Sequence, residues 1–432
     1  MTPTDIGIAM MVALPVLLVI GMPIAFALGA IGLVGLAAIR GLPSLNFLAG
    51  NFPYSATAEL SLIIVPLFLF MGHLAFSSGL SGRAYAAARS WVGHVPGGLA
   101  MATVYGCAGF ATVSGSSVAT AATMARVAVP EMLEAGYSKR LAAGCVAAGG
   151  TLGVLIPPSG ILVIYSIATG VSLSELLIAA VIPGVLTALL YAAGIAAMVR
   201  IDPSLVPAAR APRAGWAARG RALLGAWEAV LLFAIVMGSI YLGFATPTEA
   251  AAVGAAVALA IALARTRGNR KALGRGLIET GVTTSSIFAL IVGAGLFGLA
   301  LATTRIPQDL AAWVGTLGLG STTLLVCLLL PYLLLGAFID GLSMILLTMP
   351  VVYPIIQQAG IDPVLFGILV TKMTEIGAIT PPVGLNVFVV QGAVPELSIG
   401  DAFRGAAPFV LIECLIVLLL VAFPGITLGL LR

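Results

Sequence analysis

Charge is what this chain has least of. Its 432 residues include 20 Lys and Arg and 16 Asp and Glu, a charged fraction of 8%, where a soluble domain carries about a quarter. Hydrophobic residues make up 60% and mean hydropathy is +1.16, so the chain reads as an all-α polytopic membrane protein in a lipid bilayer. Histidine is down to two residues and cysteine to four. Cys107, Cys145, Cys327 and Cys414 stand in apolar runs without CxxC or Cys/His spacing, which suggests neither a disulfide framework nor a transition-metal site. Paired acids, a His/Cys nucleophile arrangement and an HExxH motif are all missing from the apolar segments, so an intramembrane enzyme lacks its parts. A Walker motif is missing too, which excludes an ATPase of that class. The net charge of +4 is gathered into loops, so it reports membrane orientation and no nucleic-acid partner. Met1 to Asp5 lacks a basic n-region and the following apolar run is too long for an h-region, so no cleavable signal is expected.

What is there is one element written twice. Gly153-Val154-Leu155-Ile156-Pro157-Pro158-Ser159-Gly160 returns as Gly377-Ala378-Ile379-Thr380-Pro381-Pro382-Val383-Gly384. Pro158 and Pro382 lie 224 positions apart, and the same offset superposes Pro130 on Pro354, Val163 on Val387 and Ser116 on Asp340. With a slip of two residues, Trp91-Val92-Gly93 matches Trp313-Val314-Gly315. A register shared over about 80 residues indicates an internal duplication.

The apolar pattern then divides the chain. Residues 1–59 are expected to hold N-terminal scaffold spans, with 6–39 broken at Gly21-Met22-Pro23 into two short spans or forming one long tilted one, and 40–58 a polar connection. The first repeat covers 60–199: a span at 60–78, a hairpin at 98–133 interrupted by Ser114-Gly115-Ser116-Ser117, a broken helix at 140–170, and a span at 174–199. Residues 200–283 carry basic loops (Arg200, Arg210, Arg213, Arg219, Arg221; then Arg265, Arg267, Arg270, Lys271, Arg275) that stay cytoplasmic, with two linking spans at 228–245 and 248–264. Thr246-Pro247-Thr248-Glu249 between those spans reads as a capping box, so Glu249 is a cap and not a buried functional acid. The second repeat covers 284–432: a span at 284–302, a hairpin at 318–359 centred on Asp340, a broken helix at 362–394, and a last span at 404–430. As ordinary crossings, the legs of 98–133 would have about 16 residues each, short of the roughly 20 a span needs. Two re-entrant hairpins follow, and the cytoplasmic loops at either side give the two repeats opposite orientation.

The breaks carry the chemistry. Consecutive prolines remove two backbone donors, end one half-helix with exposed carbonyls and open another with free N–H groups. Within a bilayer such groups survive only where protein or a polar cavity covers them. Inverted copies that pair a hairpin tip with a broken helix are the pattern of a secondary transporter with its site near the midplane. Carbonyls and hydroxyls there can replace the water shell of Na⁺, and half-helix N-termini favour anionic groups. The first expected Na⁺ site is Ser114, Gly115, Ser116 and Ser117 with Thr151, Gly153 and Pro157 opposite; the bland alternative is close packing of small residues. The second is Asp340, Gly341 and Ser343 with Thr374, Gly377, Thr380 and Pro381. Asp340 is the only acid between Asp309 and Asp362, costly in apolar surroundings unless paired; its structural alternative is a salt bridge to Lys372. Substrate candidates are Ser116, Ser117, Ser159, Asp340 and Asn386, the last weighed evenly against helix packing. Lys372 and Glu375, at i and i+3, read as a local ion pair. Arg126 is expected to snorkel at the cytoplasmic rim of the first hairpin, and His73 and His94 are given no role.

At these residues the sequence resembles the large membrane subunit of tripartite ATP-independent periplasmic (TRAP) transporters. The likeness rests on Ser114-Gly115-Ser116-Ser117-Val118-Ala119-Thr120, Gly149-Gly150-Thr151-Leu152-Gly153 through Pro157-Pro158-Ser159, Ala245-Thr246-Pro247-Thr248-Glu249-Ala250, and Glu375-Ile376-Gly377 through Asn386. It extends over essentially the whole chain. It implies a bacterial inner-membrane importer of a small organic acid anion, of C4-dicarboxylate or sialic-acid-like class. Import would be by Na⁺ symport and an elevator motion in which hairpins and broken helices move against a scaffold. It also implies two partners, a small four-helix membrane subunit and a periplasmic substrate-binding protein. With no polar stretch as long as 30 residues, the chain is expected to have no receptor domain of its own. With no spans before residue 6, the small subunit is expected to be a separate chain. The alternative is a stand-alone sodium- or proton-coupled anion symporter that needs no binding protein.

Overall fold

The computed structural model describes residues 2–207, 212–266 and 269–431, without the side chains of 44–48, 270 and 272. Arg210 and Arg267 of the basic loops lie outside the described residues, as does the side chain of Arg270. Every regular element among the described residues is helical. Among the described residues, six helices are long and apolar enough to cross a membrane, up to eight if each of two bent pairs is one span.

The apolar run 6–39 forms two helices, Pro3–Val19 and Ile24–Arg40. Gly21 makes the turn at a φ of +92°, where a side chain would be strained. The stretch 40–58, expected as a polar connection, is instead a helix, Leu42–Thr57. Pro43 falls in its first turn, where no N–H is needed, and the Thr57 hydroxyl donates to the carbonyl of Pro53 near its end (2.7 Å). The span expected at 284–302 begins much earlier, as the helix Arg270–Thr303, because Asn269 caps it by accepting from the Lys271 N–H at 3.1 Å. The first basic loop contains the short helix Trp216–Gly225, bent by 53° from the span Trp227–Tyr241. Thr246 and Glu249 form the capping box: Thr246 N–H donates to Glu249 Oε2 (2.8 Å) and Glu249 N–H to Thr246 Oγ1 (3.3 Å). At the basic end of these spans, fully buried Glu228 takes both Arg265 and Arg83.

Two helix pairs close on themselves. Gly98–Ser114 and Ser117–Glu134 meet at Gly115-Ser116, and their far ends are tied by the Leu99 N–H donating to the Tyr137 hydroxyl (3.2 Å). Ser321–Gly336 and Gly341–Gln358 meet at Asp340, tied by Ser321 Oγ to the Ala359 carbonyl (3.1 Å) and by Tyr332 to Thr348 (2.7 Å). Each pair packs against a helix that is interrupted at the prolines: Lys139–Leu155 with Gly160–Thr169, and Pro363–Ile379 with Leu385–Ala393.

Candidate functional site

The first site is built outward from Pro157-Pro158, a cis peptide. The helix before it is buried continuously from Leu141 to Leu155 and stops at Ile156, since neither proline can donate to the turn behind it. Ser159, wholly buried, restarts the helix by accepting from the Leu162 N–H (3.3 Å). Gly160 N–H then donates across to the carbonyl of Gly115 at the hairpin tip (3.3 Å). On the tip, Ser116 caps its helix by accepting from Ala119 N–H (3.3 Å). The Thr120 hydroxyl donates to the Ser116 carbonyl (2.8 Å), so the Ser114 hydroxyl, 2.8 Å from Thr120 Oγ1, is the donor in that pair.

The second site makes a similar link from break to tip, through residues one and two positions out of the repeat register. Pro381-Pro382 is also cis, and Val383 N–H donates to the carbonyl of Ala337 at the second tip (3.3 Å). Asp340, the sequence counterpart of Ser116, is likewise the cap of its helix: Oδ2 accepts from Ser343 N–H (3.1 Å) and Oδ1 from the Ser343 hydroxyl (2.6 Å). Glycine is required where each broken helix meets the backbone of its tip. A Cβ on Gly377 would lie 2.3 Å from the carbonyl carbon of Gly336, and one on Gly153 would lie 2.5 Å from the carbonyl oxygen of Ser116.

The two units share one small cavity of about 60 Å³. Ser117 from the first tip meets Asp340 and Gly341 from the second there, with Thr374 and Glu375 on the second broken helix and Val154 and Ile161 on the first. Ser114 and Ser116 open instead onto a larger cavity of about 470 Å³ that runs past Thr123 and Arg126 to His73 and Glu279. The remaining candidates form bonds within the protein. Thr151 donates to the Ala148 carbonyl (2.7 Å) and lies 3.3 Å from the Tyr191 hydroxyl; Thr380 donates to the Ile376 carbonyl (2.6 Å). Asn386, fully buried, donates to the Ala147 carbonyl (3.2 Å) and so joins the two broken helices.

Asp340 does not pair with Lys372. The lysine, wholly buried, lies 2.5 Å from Glu375 Oε2 as its i, i+3 spacing suggests, and also 2.5 Å from Glu413 Oε2 and 3.0 Å from the Thr187 hydroxyl. The Tyr191 hydroxyl donates to Glu413 Oε1. Sequence reasoning missed Glu413, although it is the only acid after Asp401 and stands in Leu411-Ile412-Glu413-Cys414-Leu415. The rule that singled out Asp340 would have found it. Removing one member of such a cluster costs roughly 3–5 kcal/mol, because an uncompensated charge stays in low dielectric.

Comparison with known proteins agrees with this architecture. Residues 11–426 match the family described as "Tripartite ATP-independent periplasmic transporter, DctM component". The C4-dicarboxylate TRAP transporter large permease protein DctM of Pseudomonas aeruginosa is 38% identical over 378 residues, covering 87% of each chain. The sialic acid TRAP transporter large permease protein SiaM of Vibrio cholerae is 34% identical, covering 95% of each. The ectoine TRAP transporter large permease protein TeaC of Halomonas elongata is 31% identical, covering 98% of each. The crystal structure of the YdaH transporter of Alcanivorax borkumensis shares the fold, with a TM-score of 0.62, 18% identity and 89% of each chain covered. The chain belongs to the DctM-component family of TRAP transporters, as a multi-pass inner-membrane permease and not an enzyme.

Proposed function

We propose that this permease imports a small organic acid anion by Na⁺ symport, taking it from a periplasmic binding protein and working with a small membrane subunit. The single observation that supports this reading is the doubled contact of hairpin tip and interrupted helix around a shared cavity. Carbonyls freed at the two breaks and the hydroxyls of Ser114, Ser116, Ser117 and Thr374 supply the neutral oxygen donors that a Na⁺ ion takes in place of water. Asp340 supplies the negative charge, held in place by Ser343. Binding Na⁺ first turns an acidic cavity into one that accepts an anion, which couples the two cargoes. Hairpins and broken helices then move together past the scaffold helices. The C4-dicarboxylate and sialic acid in the relatives' names support an organic acid as the substrate.

Thermal unfolding of the purified protein at matched ionic strength in NaCl, KCl and choline chloride tests the sodium half of this reading. A ligand that binds only the folded state stabilises it by about 2.7 kcal/mol at 100 times its Kd. Sodium alone should raise the midpoint, and Asp340→Ala should lose most of that rise. Equal midpoints in all three salts would falsify sodium coupling through these breaks.

A further inference from the structure

We infer that the cavity beside the first hairpin holds an anion-receiving subsite centred on Arg126, which takes a carboxylate of the cargo once it leaves the two tips. The inference rests on the importer reading above. The 470 Å³ cavity begins at the Ser114 and Ser116 tip and continues along one face of the helix Ser117–Glu134. Ala119, Ala122, Thr123 and Arg126 line it at spacings of three and four that put them on a single stripe. Two alanines followed by a threonine leave a smooth wall with room for a cargo molecule, and the stripe ends on a guanidinium. From Ser116 to Arg126 the helix rises about 15 Å, and its side chains lean back toward the tip. Among the described residues Arg126 has no carboxylate within ion-pair distance. The acid on the facing helix, Glu279, is half exposed and lies 3.1 Å from His73 Nδ1; Thr283 is the other polar group on that wall.

An exposed guanidinium without a carboxylate partner among the described residues, at the end of a cavity, attracts anions and presents a planar fork that fits a carboxylate. Ser116 adds a donor at the tip end, since its oxygen accepts from Ala119 and its own proton is free to be given. Nearby Asp340 and Glu375 line the other, acidic cavity. An anion released there moves down a gradient of potential toward Arg126.

The test needs no knowledge of the natural cargo. Ala122→Cys, midway along the stripe, is placed in full-length protein whose four native cysteines are replaced, in neutral detergent. It is reacted with an anionic and a cationic methanethiosulfonate reagent of similar size. The anionic-to-cationic rate ratio should fall about tenfold on Arg126→Gln and survive Arg126→Lys. Succinate exchanged for chloride at equal ionic strength should slow the anionic reagent in the Arg126 protein and leave it unchanged in Arg126→Gln. A ratio unmoved by Arg126→Gln, or no protection by succinate, overturns the subsite. Because neither labelling measurement depends on sodium, failure here is distinguishable from failure of the symport.

Discussion

The two hairpin and broken-helix units share a tip-to-break hydrogen bond and a capped tip helix, and differ in charge. Each tip carbonyl accepts from an N–H beyond a cis Pro-Pro, at 3.3 Å in both units. Each tip helix is capped by the residue 224 positions from its counterpart, Ser116 in one and Asp340 in the other. Each break reaches its tip through a glycine. Yet the first unit presents hydroxyls and leads to Arg126, whereas the second carries Asp340, Lys372 and Glu375. Duplication therefore reproduces the hydrogen bonds that polypeptide backbone needs inside a membrane, which are the same wherever a helix is broken. Side-chain charge is free to diverge, because those backbone hydrogen bonds do not depend on it.

The comparison is broken most severely by exchanging the caps. Asp340→Ser keeps an oxygen for the Ser343 N–H, and Ser and Asp cap helices about equally well, so folding should be nearly unaffected. Loss of the charge should lower sodium-dependent uptake into proteoliposomes roughly 100-fold, equivalent to about 2.7 kcal/mol. Ser116→Ala removes a cap of about 1 kcal/mol and one neutral oxygen among several, and should lower uptake much less than Asp340→Ser does. Comparable losses in both variants would mean that the tips act through their caps and not through charge.

An effect on stability, not on coupling, is expected at the buried cluster around Lys372. Lys372→Met should destabilise the protein by roughly 3–5 kcal/mol by leaving two buried carboxylates to share one site. Adding Glu375→Gln and Glu413→Gln should recover much of that loss. Chemical denaturation that shows the triple variant no better than the single one would mean that the lysine acts by packing.

The smallest effect sharpens the likeness between the units. Gly153→Ala and Gly377→Ala each insert a methyl group against backbone, at a cost of about 1–3 kcal/mol by overpacking. Similar drops in thermal midpoint are expected, since both glycines face main chain on a tip. A drop confined to one of them would show that the two contacts are not equivalent.

Much of this was legible in the sequence because the bilayer leaves few choices. With 60% hydrophobic residues and 8% charge, helices are the available solution, and two Pro-Pro breaks 224 positions apart announce paired half-helices. The positions of the tips, the capping box at Thr246 and the ion pair of Lys372 with Glu375 follow from local rules of three and four residues, which a sequence displays directly. Those rules failed where a continuous helix ran through polar residues, as in Leu42–Thr57 and the first turns of Arg270–Thr303, because polarity was taken for a loop.

Only the tertiary structure decided which distant residues meet. That Glu413 and Tyr191 complete the Lys372 cluster, that Asn386 reaches Ala147, and that Glu279 lies beside His73 are matters of helix packing across tens to hundreds of positions. Sequence spacing carries no distance over that range. It also placed Ser117 beside Asp340 while turning Ser114 and Ser116 toward a different cavity. One helical turn at a hairpin tip sends neighbouring hydroxyls to opposite faces, and what packs against each face is settled by the rest of the fold.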